Sequence, residues 1–444
     1  MSARFSTPAA PLPTHTTVAI VGGGQAGLSL SWYLTRAGVD HVVLERSRAF
    51  RSWREERWDA FTLVTPNFQC RLPDFPYDGE EPEGFMRRDE IVRYLERFLR
   101  TFSAPLHEGV AVTRIFEDRG FVLETTAGEV RAERVALCVG GYHVPFAPPV
   151  ALPEGVEAIH SRDYRAPSEL PEGAVLVVGT GQSGAQIAED LHLAGREVHL
   201  CVGDAPRCAR RYRGRDVVTW LEEMGHYDLP IDEHPEGTAA RKEANHYVTG
   251  RDGGHDLDLR AFAAEGMHLH GRLLGVDARG VATFADDLRA RLDGADATYD
   301  RINAGIDRYI AAHGIVTEEG PSTYTPVWEP PDGPPAPLDL AAAGVRSVVW
   351  CTGFRPDWSW VDLPFLDATG YPDHDRGVSA RVPGLFLLGL PWLHTWGSGR
   401  FAAIDRDARH LAGAVVESLA PAGVGATAGV DAATGVGVGA AVHA

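Results

Sequence analysis

Two stretches of this chain carry the same pattern of apolar and polar positions. Residues 17–21 (TVAIV) form a short unbroken apolar run, residues 22–27 read GGGQAG, and LSLSWYLTRAG then places apolar residues at helical spacing. From residue 174 the order recurs as AVLVVGTGQSGAQIAEDLHLAG, with Ile187, Leu191 and Leu193 expected on the helix's packing face. A second apolar run follows each helix, HVVLE in the first and EVHLCVG in the second. The pattern predicts strand, tight turn, helix and strand, twice over. It sets the expected fold class as α/β, with two Rossmann-like dinucleotide-binding domains.

The glycines in these turns have separate physical tasks. Gly22 permits the turn, Gly24 lets a pyrophosphate approach the backbone, and Gly27 lets the helix close on the strand. The helix start, with Gln25 and Ala26, presents free N–H groups to phosphate charge. Glu45 ends the next strand 18 residues after Gly27, where a carboxylate accepts ribose hydroxyls. In the second unit Gly179, Gly181 and Gly184 take the same roles, with Gln182 and Ser183 opening the helix. No acidic residue closes its second strand. A basic segment follows instead: Arg207, Arg210, Arg211, Arg213 and Arg215. Guanidinium groups pair bidentately with phosphate, so this unit is expected to take a 2′-phosphate, with Arg207 nearest the strand end as first choice.

Beyond these units the pattern weakens. DVVTWLEEMG, DLRAFAAEGMHLHG and ADATYDRINAGIDRYIAAHG place apolar residues at helical spacing, predicting a mostly helical insertion over about 209–334. The polar, turn-rich EHPEGTAARKEANHYVTGRDGGHD between them is expected to be a surface loop or lid. The expected organisation is a leader over 1–16, a discontinuous first dinucleotide-binding domain over 17–165 and 335–420, a second over 166–334, and a disordered Gly/Ala/Val-rich tail over 421–444. In PWLHTWGSGRFAAIDRDARHLAG (391–413) a helix is expected near Gly397–Gly399, with Trp392, His394 and Trp396 just before it.

Composition narrows the partners. The net charge of -19 disfavours nucleic acid and anionic membrane surfaces, which leaves small molecules. No apolar run reaches transmembrane length. The five cysteines lie far apart with no C-x-x-C pair, which argues against a disulfide framework or a zinc box and fits a reducing cytoplasm. His268 and His270 form an H-x-H, but no acidic or sulfur ligand sits at ligand spacing along the chain, so no metal is expected.

With both fingerprints in view, the chain resembles the class B flavin-dependent monooxygenases, from about Thr17 to about Gly413. This group holds the flavin-containing monooxygenases, the N-hydroxylating enzymes and the Baeyer–Villiger enzymes, and the chain is closest in character to an actinobacterial-type flavin-dependent oxidoreductase subfamily. The likeness extends to VALCVGGYHVPFAPP (135–149), to His160-Ser161-Arg162-Asp163-Tyr164-Arg165, to VVWCTGFRP (348–356) with Cys351 in an alanine slot, and to VPGLFLLGLPW (382–392). Through it, Arg46, Trp53, Gly353 and Gly389 join the FAD residues. Asn67, His160 and Trp396 become candidates for the catalytic region, each with a plainer reading: turn residue, hinge histidine and core aromatic.

Departures from the family pattern bear on chemistry. The Gly-Gly-x-W segment is Phe50-Arg51-Ser52-Trp53, no asparagine precedes Pro66, and Tyr164 stands where Baeyer–Villiger enzymes carry Trp. The resemblance implies NADPH, or NADH as the alternative donor, reducing FAD. Reaction with O2 through a C4a-(hydro)peroxyflavin would then insert one oxygen atom into a small organic substrate, at N or S in preference to a carbonyl. The alternatives are a flavoprotein reductase or oxidase without oxygen transfer, or Baeyer–Villiger oxygenation. A homodimer is compatible with the sequence.

Overall fold

The computed structural model describes residues 11–420. The expected tail over 421–444 and the first ten residues of the expected leader lie outside them.

Two parallel sheets organise the chain. In the first, strand His15–Val21 lies between His41–Glu45 and Gly128–Leu137, all parallel, with Leu106–Glu108 and Leu385–Leu387 extending the two sides. The antiparallel hairpin Val112–Glu117 and Phe121–Thr125 is attached to Gly128–Leu137. Successive side chains of the first strand alternate between two cores: Val18 and Ile20 pack on one face, Ala19 and Val21 on the other. A strand covered on both faces must be apolar at every position, which is why TVAIV shows no polar alternation. Helices Gln25–Arg36 and Ile404–Leu419 cover the first face.

The second sheet runs in the order Glu157–His160, Val345–Trp350, Ala174–Val178, Val198–Cys201, His268–His270, with every pairing parallel. This corrects the expected domain boundaries. Glu157–His160 and Val345–Trp350 were assigned by sequence to the first domain, yet both are strands of the second sheet. The chain crosses between domains near 145–156 and again near 351–355, where Phe354 and Arg355 pair with Val144 and Pro145.

The insertion is also less helical than expected. It contains helix Leu288–His313, but helix Val217–Glu223 is short and DLRAFAAEGMHLHG divides into helix Leu259–Ala264 and edge strand His268–His270. Gly266, at φ +111, separates helix from strand there. The expected surface loop or lid is held at residues 247–250. Tyr247, Val248 and Thr249 are buried, and a Cβ on Gly250 would come 2.0 Å from the Leu63 carbonyl oxygen. Residues 247–250 are therefore held against the Leu63 segment, whereas most of residues 232–245 lie exposed. The first strand also begins two residues earlier than expected, taking His15 and Thr16 from the leader.

Candidate functional site

The two glycine turns are nearly superimposable in their local chemistry. Gly22 has φ +112 and its hypothetical Cβ would meet the Cys138 carbonyl oxygen at 2.5 Å; Gly179 has φ +103 and would meet the Cys351 carbonyl oxygen at 2.7 Å. Gly27 and Gly184 would each drive a Cβ to 1.9 Å from the carbonyl oxygen of the turn's first glycine. These four glycines are fixed by the fold itself. Gly24 and Gly181 differ: a Cβ on either meets nothing within 4 Å. Their backbones, φ -82 and ψ -175 and φ -60 and ψ 174, are open to any L-residue. Neither protein sterics nor φ explains a glycine there. A glycine at these positions leaves the backbone of a helix N-terminus open to close approach by a ligand.

Glu45 is buried beside the first turn, its Oε2 accepting from Gly23 N–H at 2.7 Å and its Oε1 from Ser47 N–H at 2.9 Å. Each carboxylate oxygen keeps a further lone pair for a ribose hydroxyl. Ala26 and Gly389 abut, since a Cβ on Gly389 would approach that of Ala26 to 2.7 Å. Gln25 ties the helix start to two other segments: Trp53 Nε1 donates to Gln25 Oε1 at 3.0 Å, and Gln25 Nε2 donates to the Gly399 carbonyl at 3.0 Å. Trp53 stacks on Phe401 at 5.5 Å. Arg46 is exposed at the strand end.

An aromatic path joins the two cradles. Trp53 contacts Phe61 at 6.0 Å, Phe61 contacts Trp58 at 5.0 Å, and Trp58 contacts Tyr164 at 6.5 Å. Tyr164 Oη donates to Asp190 on helix Gln182–Leu193 at 2.7 Å. His160 Nε2 lies 3.0 Å from the Gly353 carbonyl oxygen, and burial holds its imidazole below the usual value, which favours the neutral ring. The H-S-x-x-Y-R segment therefore clamps the domain junction, and Gly353, assigned by sequence to the flavin, sits at that junction just after a strand of the second sheet. Gln182 Nε2 donates to the Val248 carbonyl at 2.6 Å, and Ser183 beside it is partly exposed.

Two sequence expectations are corrected, that Arg207 meets a phosphate and that no acidic residue closes the second strand, and Asn67 takes its plainer reading. Arg207 is buried, ion-paired with Asp296 at 2.8 Å and Asp258 at 3.6 Å, and held between the rings of Tyr324 and Tyr299. Its guanidinium is committed to the protein interior, with no face turned to a phosphate. Asp204, unread in the sequence, is the acidic residue at that strand end. Gly203 N–H donates to Thr180 Oγ1 at 2.8 Å, which sets Asp204 beside the second turn, where it pairs with Arg291. Asn67 is a loop pin: its Nδ2 donates to the Glu81 carbonyl at 2.9 Å and its Oδ1 accepts from Met86 N–H at 2.7 Å. Both ends are bonded to the loop and the residue is buried, which fits its plainer reading as a turn residue.

Trp396 packs on Tyr227 at 4.5 Å and donates to Asn245 Oδ1 at 3.2 Å, joining the 391–401 segment to the insertion. The final helix starts at Ile404, later than expected. Arg57 and Arg400 also escaped sequence reading. Arg400 lies over the Trp396 ring and Arg57 over Trp53 and Phe61, and neither forms an ion pair among the described residues. Burial lowers the pKa of both, and an anion would offset that cost. Only a folded structure brings these cations together with the first cradle.

The cysteines are all unpaired. Burial pushes the Cys70, Cys208 and Cys351 thiols up to about 12, and those of Cys138 and Cys201 up as well. A thiol held in that range supplies no thiolate at neutral pH.

Comparison with known proteins fits this geometry. Residues 19–263 match the pyridine nucleotide-disulphide oxidoreductase family. The chain belongs to that family. Over 401 residues it is 29% identical to a CzcO-like oxidoreductase of Geobacillus kaustophilus, a match spanning 89% of this chain and 96% of that protein. A probable indole-3-pyruvate monooxygenase of Arabidopsis thaliana, YUCCA1, is 31% identical over 193 residues, covering 41% of this chain and 46% of its own length. The solved flavin-containing monooxygenase of Stenotrophomonas maltophilia shares the fold, with TM-score 0.63 at 19% identity over 92% of this chain and all of the other. The expected kinship with flavin monooxygenases is thereby supported, and the chain is an oxidoreductase with the two-dinucleotide fold. No helix among the described residues is long and apolar enough to cross a membrane.

Proposed function

We propose that this oxidoreductase binds FAD in the first cradle and NADPH in the second, and acts as a monooxygenase that inserts one atom of O2 into a small organic substrate at nitrogen or sulfur. The observation that carries the reading is the pair of open glycines, Gly24 and Gly181, each unexplained by its own surroundings and each fitted to a pyrophosphate. FAD would supply hydride acceptance and oxygen activation when bound.

The protein's own contributions follow from the residues present. Helix Gln25–Arg36 directs its N-terminal N–H groups to the flavin dinucleotide's phosphates, and Glu45 accepts the ribose hydroxyls while holding the turn through Gly23. Trp53 and Phe401 wall the cleft and exclude water, with Gln25 fixing the wall to the cradle. Arg57 and Arg400 set a positive potential there that suits the charge accumulating on a reduced cofactor or on an anionic substrate. At the second cradle, Arg291 is the arginine set beside the ribose end, with Asp204 as its counter-charge.

The cysteines support oxygen as the terminal acceptor over a disulfide, because none is paired and none is poised as a thiolate. The experiment is a turnover assay under 18O2 against amines, sulfides and ketones. Monooxygenation gives one labelled oxygen per NADPH consumed in an N- or S-oxide. Label only in hydrogen peroxide, across every substrate, makes the chain an oxidase or reductase; label in an ester identifies carbonyl oxygenation.

A further inference from the structure

The far edge of the second sheet holds a cluster that the flavin chemistry does not use. Strands Val198–Cys201 and His268–His270 pair in parallel with His199 opposite His268 and Cys201 opposite His270. Glu197, two residues before His199, shares its face. The H-x-H therefore does gain an acidic and a third histidine partner, supplied by a strand 71 residues away in sequence, which corrects the expectation that it has none.

We propose that Glu197, His199 and His268 form a site for a divalent transition-metal ion, with zinc(II) the ion that its donors suit best. One ligand atom from each lies within 4.8 Å of the other two. Glu197 Oε1 is 3.7 Å from His199 Nε2 and 3.5 Å from His268 Nε2. Ligands about 2.0–2.1 Å from a tetrahedral zinc stand roughly 3.4 Å apart, so these separations are already close to a coordination edge. Two imidazoles and a carboxylate are the borderline donors that zinc prefers, and they leave a fourth position for water.

The buried histidine points to a ligand independently of the spacing. His199 is 4% exposed, and its Nε2 has no hydrogen-bond partner. An unpartnered buried polar nitrogen costs about 1–3 kcal/mol. The other nitrogen, Nδ1, lies 3.0 Å from His270 Nε2. With Nδ1–H donating to His270, the Nε2 lone pair of His199 is directed at Glu197 and His268. A ligand histidine oriented through its second nitrogen is the usual outer-shell arrangement of metal sites. His270 is positioned in turn by stacking on Phe284 at 4.2 Å. His268 and Glu197 are half-exposed, which leaves both side chains room to adjust and gives the ion a path in.

The site lies at the N-terminal end of its strands, whereas the glycine turn follows their C-terminal end, so the ion would not meet the nucleotide. Its effect would be to cross-link the short edge strand to the sheet. The test uses the full-length, tag-free chain, stripped with a chelator and titrated with Zn2+ by calorimetry, and with Co2+ as a visible-absorbance probe. One ion is expected to bind per chain, with tetrahedral Co2+ bands. His268→Gln and Glu197→Gln, both at half-exposed positions that preserve the fold, should each weaken binding at least tenfold. His313→Gln, outside the cluster, should not, and NADPH consumption should be unchanged in all three. Failure to bind Zn2+ stoichiometrically, or binding untouched by both cluster variants, would overturn the proposal.

Discussion

Replacing Gly24 with alanine separates a ligand-imposed glycine from a fold-imposed one. The new methyl group has nothing within 4 Å, and the residue's φ of -82 and ψ of -175 suit alanine. Stability should hold or rise by about 0.4–1 kcal/mol, since alanine has fewer unfolded conformations to lose. The space that the methyl enters is the space the pyrophosphate needs. Overpacking by one methyl costs about 1–3 kcal/mol, which at 1.4 kcal/mol per tenfold weakens FAD binding roughly 5- to 150-fold. Gly27→Ala is the contrast, because its Cβ would stand 1.9 Å from the Gly22 carbonyl oxygen, and the helix cannot close on the strand. The assay is urea unfolding of deflavinated protein together with FAD titration followed by flavin fluorescence. Unchanged FAD affinity in Gly24→Ala, or normal folding of Gly27→Ala, would refute the assignment of these two glycines.

Other outcomes follow from the same geometry. Arg207→Ala should destabilise the second domain by about 3–5 kcal/mol in urea unfolding, since it leaves Asp258 without its cation and Asp296 with Arg260 alone, and leave the NADPH/NADH ratio of the folded fraction unchanged. Arg291→Ala should shift nucleotide preference toward NADH and Asp204→Ala toward NADPH, read as kcat/KM ratios. Asn67→Ala should cost about 1–3 kcal/mol through two lost hydrogen bonds to the loop, with turnover of the folded enzyme nearly intact. Acid should weaken the fold: burial lowers the His246 and His374 pKa values from 6.5 to about 4, so the unfolded chain binds more protons between these values. Their stabilisation, up to roughly 3 kcal/mol each, is complete above pH 6.5 and is lost as pH falls toward 4, which chemical unfolding across that window measures.

What the sequence revealed and what it hid divide by range. The glycine turns, Glu45 and Ile187 and Leu191 of the second helix's packing face were legible because strand, turn and helix are consecutive, whereas Leu193, expected on that face, is 53% exposed because it lies about 120° around the helix from Ile187. Arg207 was misread because its partners, Asp258, Asp296 and two tyrosines, come from a distant part of the chain. The H-x-H was dismissed because strand pairing, not spacing along the chain, supplies Glu197 and His199. Membership of Glu157–His160 and Val345–Trp350 in the second sheet was hidden for a similar reason: parallel neighbours are joined through long crossovers that leave no local signature. The pinning of residues 247–250 depends on Leu63 and Phe85, again far away.

The central claim is that the first cradle holds a flavin which a nucleotide in the second cradle reduces. Its most direct test is to purify the full chain, load it with FAD, add NADPH without oxygen, and record flavin absorbance before and after admitting air. The two-cradle account predicts yellow protein that bleaches with NADPH and recolours in air, with bleaching slowed in Gly181→Ala while flavin content stays unchanged. A chain that takes up no FAD, or a bound flavin that NADPH leaves oxidised, would contradict it.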